Sequence, residues 1–223
     1  MKTQSHLILL GAVILILFYS CASTTGFQTG RTVGAEAGEI SFSINGTRTP
    51  DFEALEDETD TDFNIFVPNI EISGRYGISD KVDFGLRANT FLNILADVKV
   101  QIAGDQESPF AMSTGLGLGM FGFISGAGGL FNFQVPVYAS YHPSENVDLY
   151  VAPRYIGQWG TTFEESSSLL NYYGANFGFL TGRKVKFGID LALFKLSNQD
   201  SDFDDTLFQL GFGMKFKISG KQE

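Results

Sequence analysis

His142-Pro143-Ser144 is the sharpest chemical coincidence in the chain. A histidine two residues from a serine could take the hydroxyl proton and turn the oxygen into a nucleophile for an ester. The same triplet runs on into Glu145-Asn146, and Pro and Ser are ordinary turn formers, so a plain turn is the competing reading. Two acidic runs offer oxygen ligands of the kind Ca²⁺ takes. One is Asp51, Glu53, Glu56, Asp57, Glu58, Asp60 and Asp62; the other is Asp200, Asp202, Asp204 and Asp205. Neither has the glycine-centred loop of an EF-hand, so each reads as a solvated acidic loop and no metal is expected. Gly122, Gly126, Gly128 and Gly129 are followed by no Lys-Ser/Thr and open no helix, so they form no phosphate cradle. With 2 His and 1 Cys, little remains for a metal cluster or a thiol nucleophile. No cofactor and no catalytic residue is expected.

A third set of reactive groups is spread along the chain. Glu39, Glu71, Arg75, Asp83, Arg87, Asp97, Lys99, Asp148, Arg154, Lys186, Asp190, Lys215 and Lys217 all fall between apolar residues of alternating runs. If the runs are strands, these charges share one face. Inside a narrow barrel each must be paired or hydrated. They then form either an internal salt-bridge network or a small aqueous path lined by both signs. Wide channels belong to barrels of 16–18 strands, which favours the network in a smaller one.

The elements that carry these charges show period two. Phe131, Phe133, Val135, Val137, Ala139 and Tyr141 alternate with Asn132, Gln134, Pro136, Tyr138, Ser140 and His142. Val147, Leu149, Val151, Pro153 and Tyr155 alternate with Asp148, Tyr150, Ala152 and Arg154. Val185 to Leu193 and Phe208 to Ile218 repeat the pattern, and no window has a helical period. The pattern predicts ten strands, near 36–45, 64–78, 82–89, 93–103, 109–122, 131–142, 147–158, 169–181, 184–196 and 206–218. The break between the third and fourth carries no Gly or Pro to mark it. Compact turns near 79–81, 104–108, 143–146 and 181–183 alternate with long segments at 46–63, 123–130, 159–168 and 197–205.

The 223 residues include 22 Phe and 26 Gly, and charged residues make up only 18%. The polar faces carry Gly115, Gly117, Gly119, Asn176, Gly178, Gly211 and Gly213 rather than rows of Lys and Glu. A soluble barrel would put its polar face in water, whereas small residues suit a crowded lumen. The apolar faces then form a lipid-facing band about 25 Å tall. Tyr76, Tyr141, Tyr155 and Trp159 sit where an interfacial aromatic girdle belongs. A formal net charge of −10 argues against nucleic acid as a partner.

Met1-Lys2 opens a segment whose apolar run, Leu7 to Phe18, is too short to span a bilayer and reads as a signal peptide. The run ends in Leu17-Phe18-Tyr19-Ser20-Cys21-Ala22, which resembles a bacterial lipoprotein lipobox. That resemblance implies cleavage before Cys21, acylation of Cys21, and sorting to the outer membrane, since Ala22 rather than Asp follows. The expected division is a signal peptide over 1–20, a tether over 21–35, a barrel over 36–218 and a tail over 219–223.

The whole mature chain resembles the small outer-membrane β-barrels of Gram-negative bacteria, on pattern rather than on a unique motif. The resemblance implies an all-β, up-and-down antiparallel transmembrane barrel with both termini on the periplasmic, short-turn side. Outer-membrane lipid, lipopolysaccharide, the barrel-assembly machinery and the lipoprotein-sorting machinery are the partners it implies. The expected role is structural, surface-interacting or minor permeation. One rival is a lipid-modifying hydrolase, because His142-Pro143-Ser144 resembles the His-x-Ser pair of outer-membrane lipid A deacylases. The other is a soluble lipocalin-like lipid-binding barrel tethered by an acylated Cys21.

Overall fold

The computed structural model describes residues 23–48, 66–121, 129–161, 170–198 and 204–218. Ten strands close into one antiparallel barrel in which each strand pairs with its sequence neighbours and the last pairs with the first. They are β1 (Gly38–Arg48), β2 (Phe66–Ser79), β3 (Val82–Asn89), β4 (Ile94–Ala103), β5 (Phe110–Phe121), β6 (Gly129–Ser144), β7 (Val147–Thr161), β8 (Leu170–Gly182), β9 (Val185–Asn198) and β10 (Asp204–Ile218). Closure removes the unpaired edges that an open sheet would expose. Most strands exceed the 9–11 residues that a tilted strand needs to cross a bilayer.

Alternation sorts the side chains. On β6 and β7, Asn132, Gln134, Tyr138, Ser140, His142, Asp148, Tyr150 and Arg154 are buried in the lumen. The outer face exposes Phe42, Ile44, Ile72, Leu86, Leu118, Val135, Leu149, Phe177, Ile189 and Phe212. An apolar exterior around a polar interior is the reverse of a soluble barrel. Aromatics cluster on the outside near the long-loop end, where Phe131 stacks on Trp159 at 5.8 Å and Tyr155 meets Tyr173 at 5.0 Å.

The unmarked break between β3 and β4 is a tight turn over 90–93 on the end that otherwise carries the long segments. Leu92 takes a left-handed φ of 60° there. The Asn89 side-chain oxygen accepts the Phe91 and Asn93 amides at 3.0 and 3.1 Å. An asparagine carboxamide thus does what Gly or Pro usually does.

Residues 23–33, expected as part of a tether over 21–35, lie inside the barrel, and Ala35 and Glu36 are exposed at its mouth. Ser23, Thr24, Thr25, Phe27, Gln28, Thr29, Thr32, Val33 and Ala37 are all buried. The segment enters at the short-turn end, where Glu36 and Ala37 bond to the Gly77 backbone at 2.9 Å. It runs up the lumen to Ser23, level with the middle of β7.

Candidate functional site

The lumen and the segment that fills it form the candidate site. Five amides of the segment donate to lumenal side chains. Gly26 donates to Asp190 at 3.0 Å, Phe27 to the Tyr150 hydroxyl at 2.9 Å and Gly30 to the Ser140 hydroxyl at 2.9 Å. Thr32 donates to Gln101 at 2.9 Å and Val33 to Asp83 at 3.1 Å. The carbonyls face donors. Asn176 donates to Thr24 at 2.7 Å, and Lys99 to Arg31 at 2.7 Å. Arg87 and Arg154 both donate to the Thr25 carbonyl, each at 3.2 Å. Gln134 and Arg154 reach the Ser23 carbonyl at 3.3 and 3.4 Å. The Ser23 and Thr24 hydroxyls are held by Glu71 and Gln209. A buried backbone must find partners for its amides and carbonyls, and here lumenal side chains supply them in place of a neighbouring strand.

The expected lumenal charges fall into two groups. Ten of them lie in ion-paired sets. Arg75 meets Asp97 at 2.6 Å, and Arg87 lies 3.9 Å from Glu71 and 3.7 Å from Asp97. Lys99 meets Asp83 at 3.3 Å, Lys186 meets Asp148 at 2.6 Å, and Lys215 meets Glu39 at 2.7 Å. Arg154 and Asp190 differ, because among the described residues neither has an ion-pair partner. Both are nine-tenths or more buried. Asp190 accepts from Gly26, from the Tyr150 hydroxyl at 2.6 Å and from Asn176 at 2.7 Å. Arg154 donates to Gln134 and to the two segment carbonyls. Lys217, at the rim, is exposed.

The glycines of the polar faces make room for these contacts. A Cβ on Gly178 would lie 2.0 Å from the Tyr150 ring, and one on Gly213 would lie 2.9 Å from Phe27. Phe27, Tyr150 and Leu180 pack together as a small apolar cluster.

His142 does not bond to Ser144, which is exposed at the end of β6. Its ring lies instead between Ser140 at 2.7 Å and Asp148 at 2.8 Å. Ser140-His142-Asp148 thus has the connectivity of a nucleophile, a base and an orienting acid. Ser140, however, is 2% exposed, and its oxygen already accepts the Gly30 amide. That amide occupies the approach a substrate carbonyl would need. In this arrangement the trio anchors the segment. Sequence reasoning paired His142 with the wrong serine because it placed the triplet in a turn rather than on a strand.

Among the described residues, no three His, Cys, Asp or Glu side chains are grouped to hold a metal. The acidic run 51–62 and Cys21 lie outside the described residues, as do 200–203. The upper, long-loop half of the lumen holds something the sequence reading did not anticipate. Ile156, Tyr172, Ala192, Phe194, Leu196 and Leu207 form a buried apolar cluster there.

No family model and no curated protein matches the chain. Similar solved structures are bacterial outer-membrane barrels. Neisserial surface protein A is 10% identical with a TM-score of 0.41, over 81% of this chain and 97% of that one. The attachment invasion locus protein of Yersinia pestis is 12% identical with a TM-score of 0.31, over 82% and 99%. An outer-membrane channel from Pseudomonas putida F1 is 7% identical with a TM-score of 0.41, over 90% and 100%. At these values the likeness is one of barrel architecture.

Proposed function

We propose that this chain is a bacterial outer-membrane β-barrel lipoprotein, acylated at Cys21, whose own residues 23–37 close the lumen while they are seated in it. Its resting role is structural and surface-interacting, and any permeation is minor and conditional on that segment leaving. The observation that supports this reading is the threaded segment itself, bonded along its length to eight strands of a barrel with an apolar exterior. The exterior disfavours a soluble lipid-binding barrel, and the covered Ser140 disfavours a hydrolase.

Acylation adds a geometric condition. Ser23 is two positions along from Cys21, a reach of about 7 Å when extended. Ser23 contacts Arg154, the eighth residue of the 15 in β7. That position is about 23 Å along the strand from the short-turn rim. An acyl chain in the leaflet on that side therefore goes with an emptied lumen. A seated segment goes with an N-terminus directed toward the long-loop side.

Conductance in planar bilayers tests the closure, with every chain, native sequence included, refolded without an acyl group so that the segment can seat. The native chain should be silent, and a variant lacking 23–33 should conduct. A native chain that conducts as steadily as the deletion would refute it. Cys21→Ala should abolish acyl labelling, and unchanged labelling would remove the lipoprotein part.

A further inference from the structure

Resting on the reading that residues 23–37 can leave, we infer that the emptied lumen is a binding tunnel for an extended peptide. The chain's own 23–33 is then its resident ligand.

The lumen recognises main chain more than side chains. Its acids and hydroxyls take the segment's amides, and its cations and amides hold the segment's carbonyls. The decisive detail is one peptide group, Thr25–Gly26. Its carbonyl accepts from Arg87 and Arg154, each at 3.2 Å, and its amide donates to Asp190 at 3.0 Å. Arg154 and Asp190 have no ion-pair partner among the described residues, and the Arg154 Nε is buried without an acceptor. Buried charges need compensation, and here the dipole of a peptide unit supplies part of it at both ends. A free anion would satisfy Arg154 but meet Asp190 and Glu71 with like charge. A peptide satisfies both signs at once.

The walls also set which peptide fits. A Cβ on Gly26 would lie 2.1 Å from an Asp190 oxygen. One on Gly30 would lie 2.2 Å from the Ala111 carbonyl, which is backbone and cannot swing aside. Between them the Phe27 ring packs on Tyr150 and Leu180. The tunnel therefore selects an extended oligopeptide of the form Gly-aromatic-x-x-Gly.

The test uses a fluorescent peptide with the sequence Ser23 to Ala37 and three folded barrels: native, lacking 23–33, and full-length Gly30→Val. Heat-modifiable gel mobility verifies each fold, and Gly30→Val serves if the deletion does not fold. The emptied barrels should bind the peptide saturably and the native barrel should not. A peptide carrying Val at both glycine positions should not bind, and Arg154→Gln in the emptied barrel should weaken binding by about tenfold or more, as loss of a hydrogen bond to a charged group implies. An emptied barrel that conducts yet ignores the peptide overturns this inference and leaves the closure intact. Displacement of the peptide by phosphate at equal concentration would reveal a simple anion site and overturn it as well. A native barrel that conducts steadily overturns the closure instead.

Discussion

The two halves of the lumen are filled by different chemistry. In the short-turn half, ion pairs and carboxamides surround a threaded backbone, with Asp83, Lys99, Gln101, Ser140 and Tyr150 each bonded to it. In the long-loop half, Ile156, Tyr172, Phe194, Leu196 and Leu207 form an apolar cluster beside buried carboxamides such as Asn132, Gln158 and Asn171. Both halves are packed, but only the first is packed against something able to leave. The contrast shows that the ion pairs of the lumen, unlike its carboxamides, gather where a threaded backbone must be satisfied. It also separates two jobs: the polar half holds the segment, and the apolar half holds the barrel together.

Gly30→Val should break the polar half most severely, because the new side chain has no room beside the Ala111 carbonyl. The segment should unseat, and trypsin should then cut after Arg31, which bonds the Ser108 carbonyl in the closed barrel. Digestion of wild type and variant side by side in detergent gives the readout. Equal resistance would mean the glycine is not what seats the segment. Phe194→Ala acts on the other half. Truncating a buried phenylalanine costs about 3–5 kcal/mol, so the barrel should unfold at lower urea while Arg31 stays protected. If Arg31 became cleavable as well, the two halves would be one unit.

A smaller effect sharpens the contrast by adding the outer face. Leu210 and Gln209 are neighbours on β10, with Gln209 buried in the lumen and Leu210 turned outward. Leu210→Arg should cost insertion into lipid vesicles about 2–4 kcal/mol. Gln209→Arg should insert nearly normally, since lumenal carboxylates can pair with it, though it should loosen Thr24, whose hydroxyl bonds Gln209. Gel mobility of the folded form reports both. Equal insertion would show that lipid does not meet the face carrying Leu210.

The strands were legible because alternation is a local signal, and Asp148-Leu149-Tyr150-Val151 announces its two faces without help. The turn at 90–93 was not, since an asparagine side chain replaces the usual Gly or Pro. The threaded segment was hidden for a different reason. Ser23 to Ala37 has no period, and its partners come from strands up to 185 residues away in sequence. Its one local trace is Gly26, Gly30 and Gly34 at intervals of four, in a stretch that otherwise reads as a linker. Arg154 and Asp190 looked like two more members of a salt-bridge network. Only the fold shows that each faces a peptide group instead.

Amide hydrogen exchange on the intact protein in lipid nanodiscs tests the central claim most directly. If residues 23–37 close the lumen, the amides of Gly26, Phe27, Gly30, Thr32 and Val33, each bonded to a buried side chain, should exchange slowly and as a group. Exchange of those five amides at the rate of a free chain, beside slow exchange in the ten strands, would contradict it.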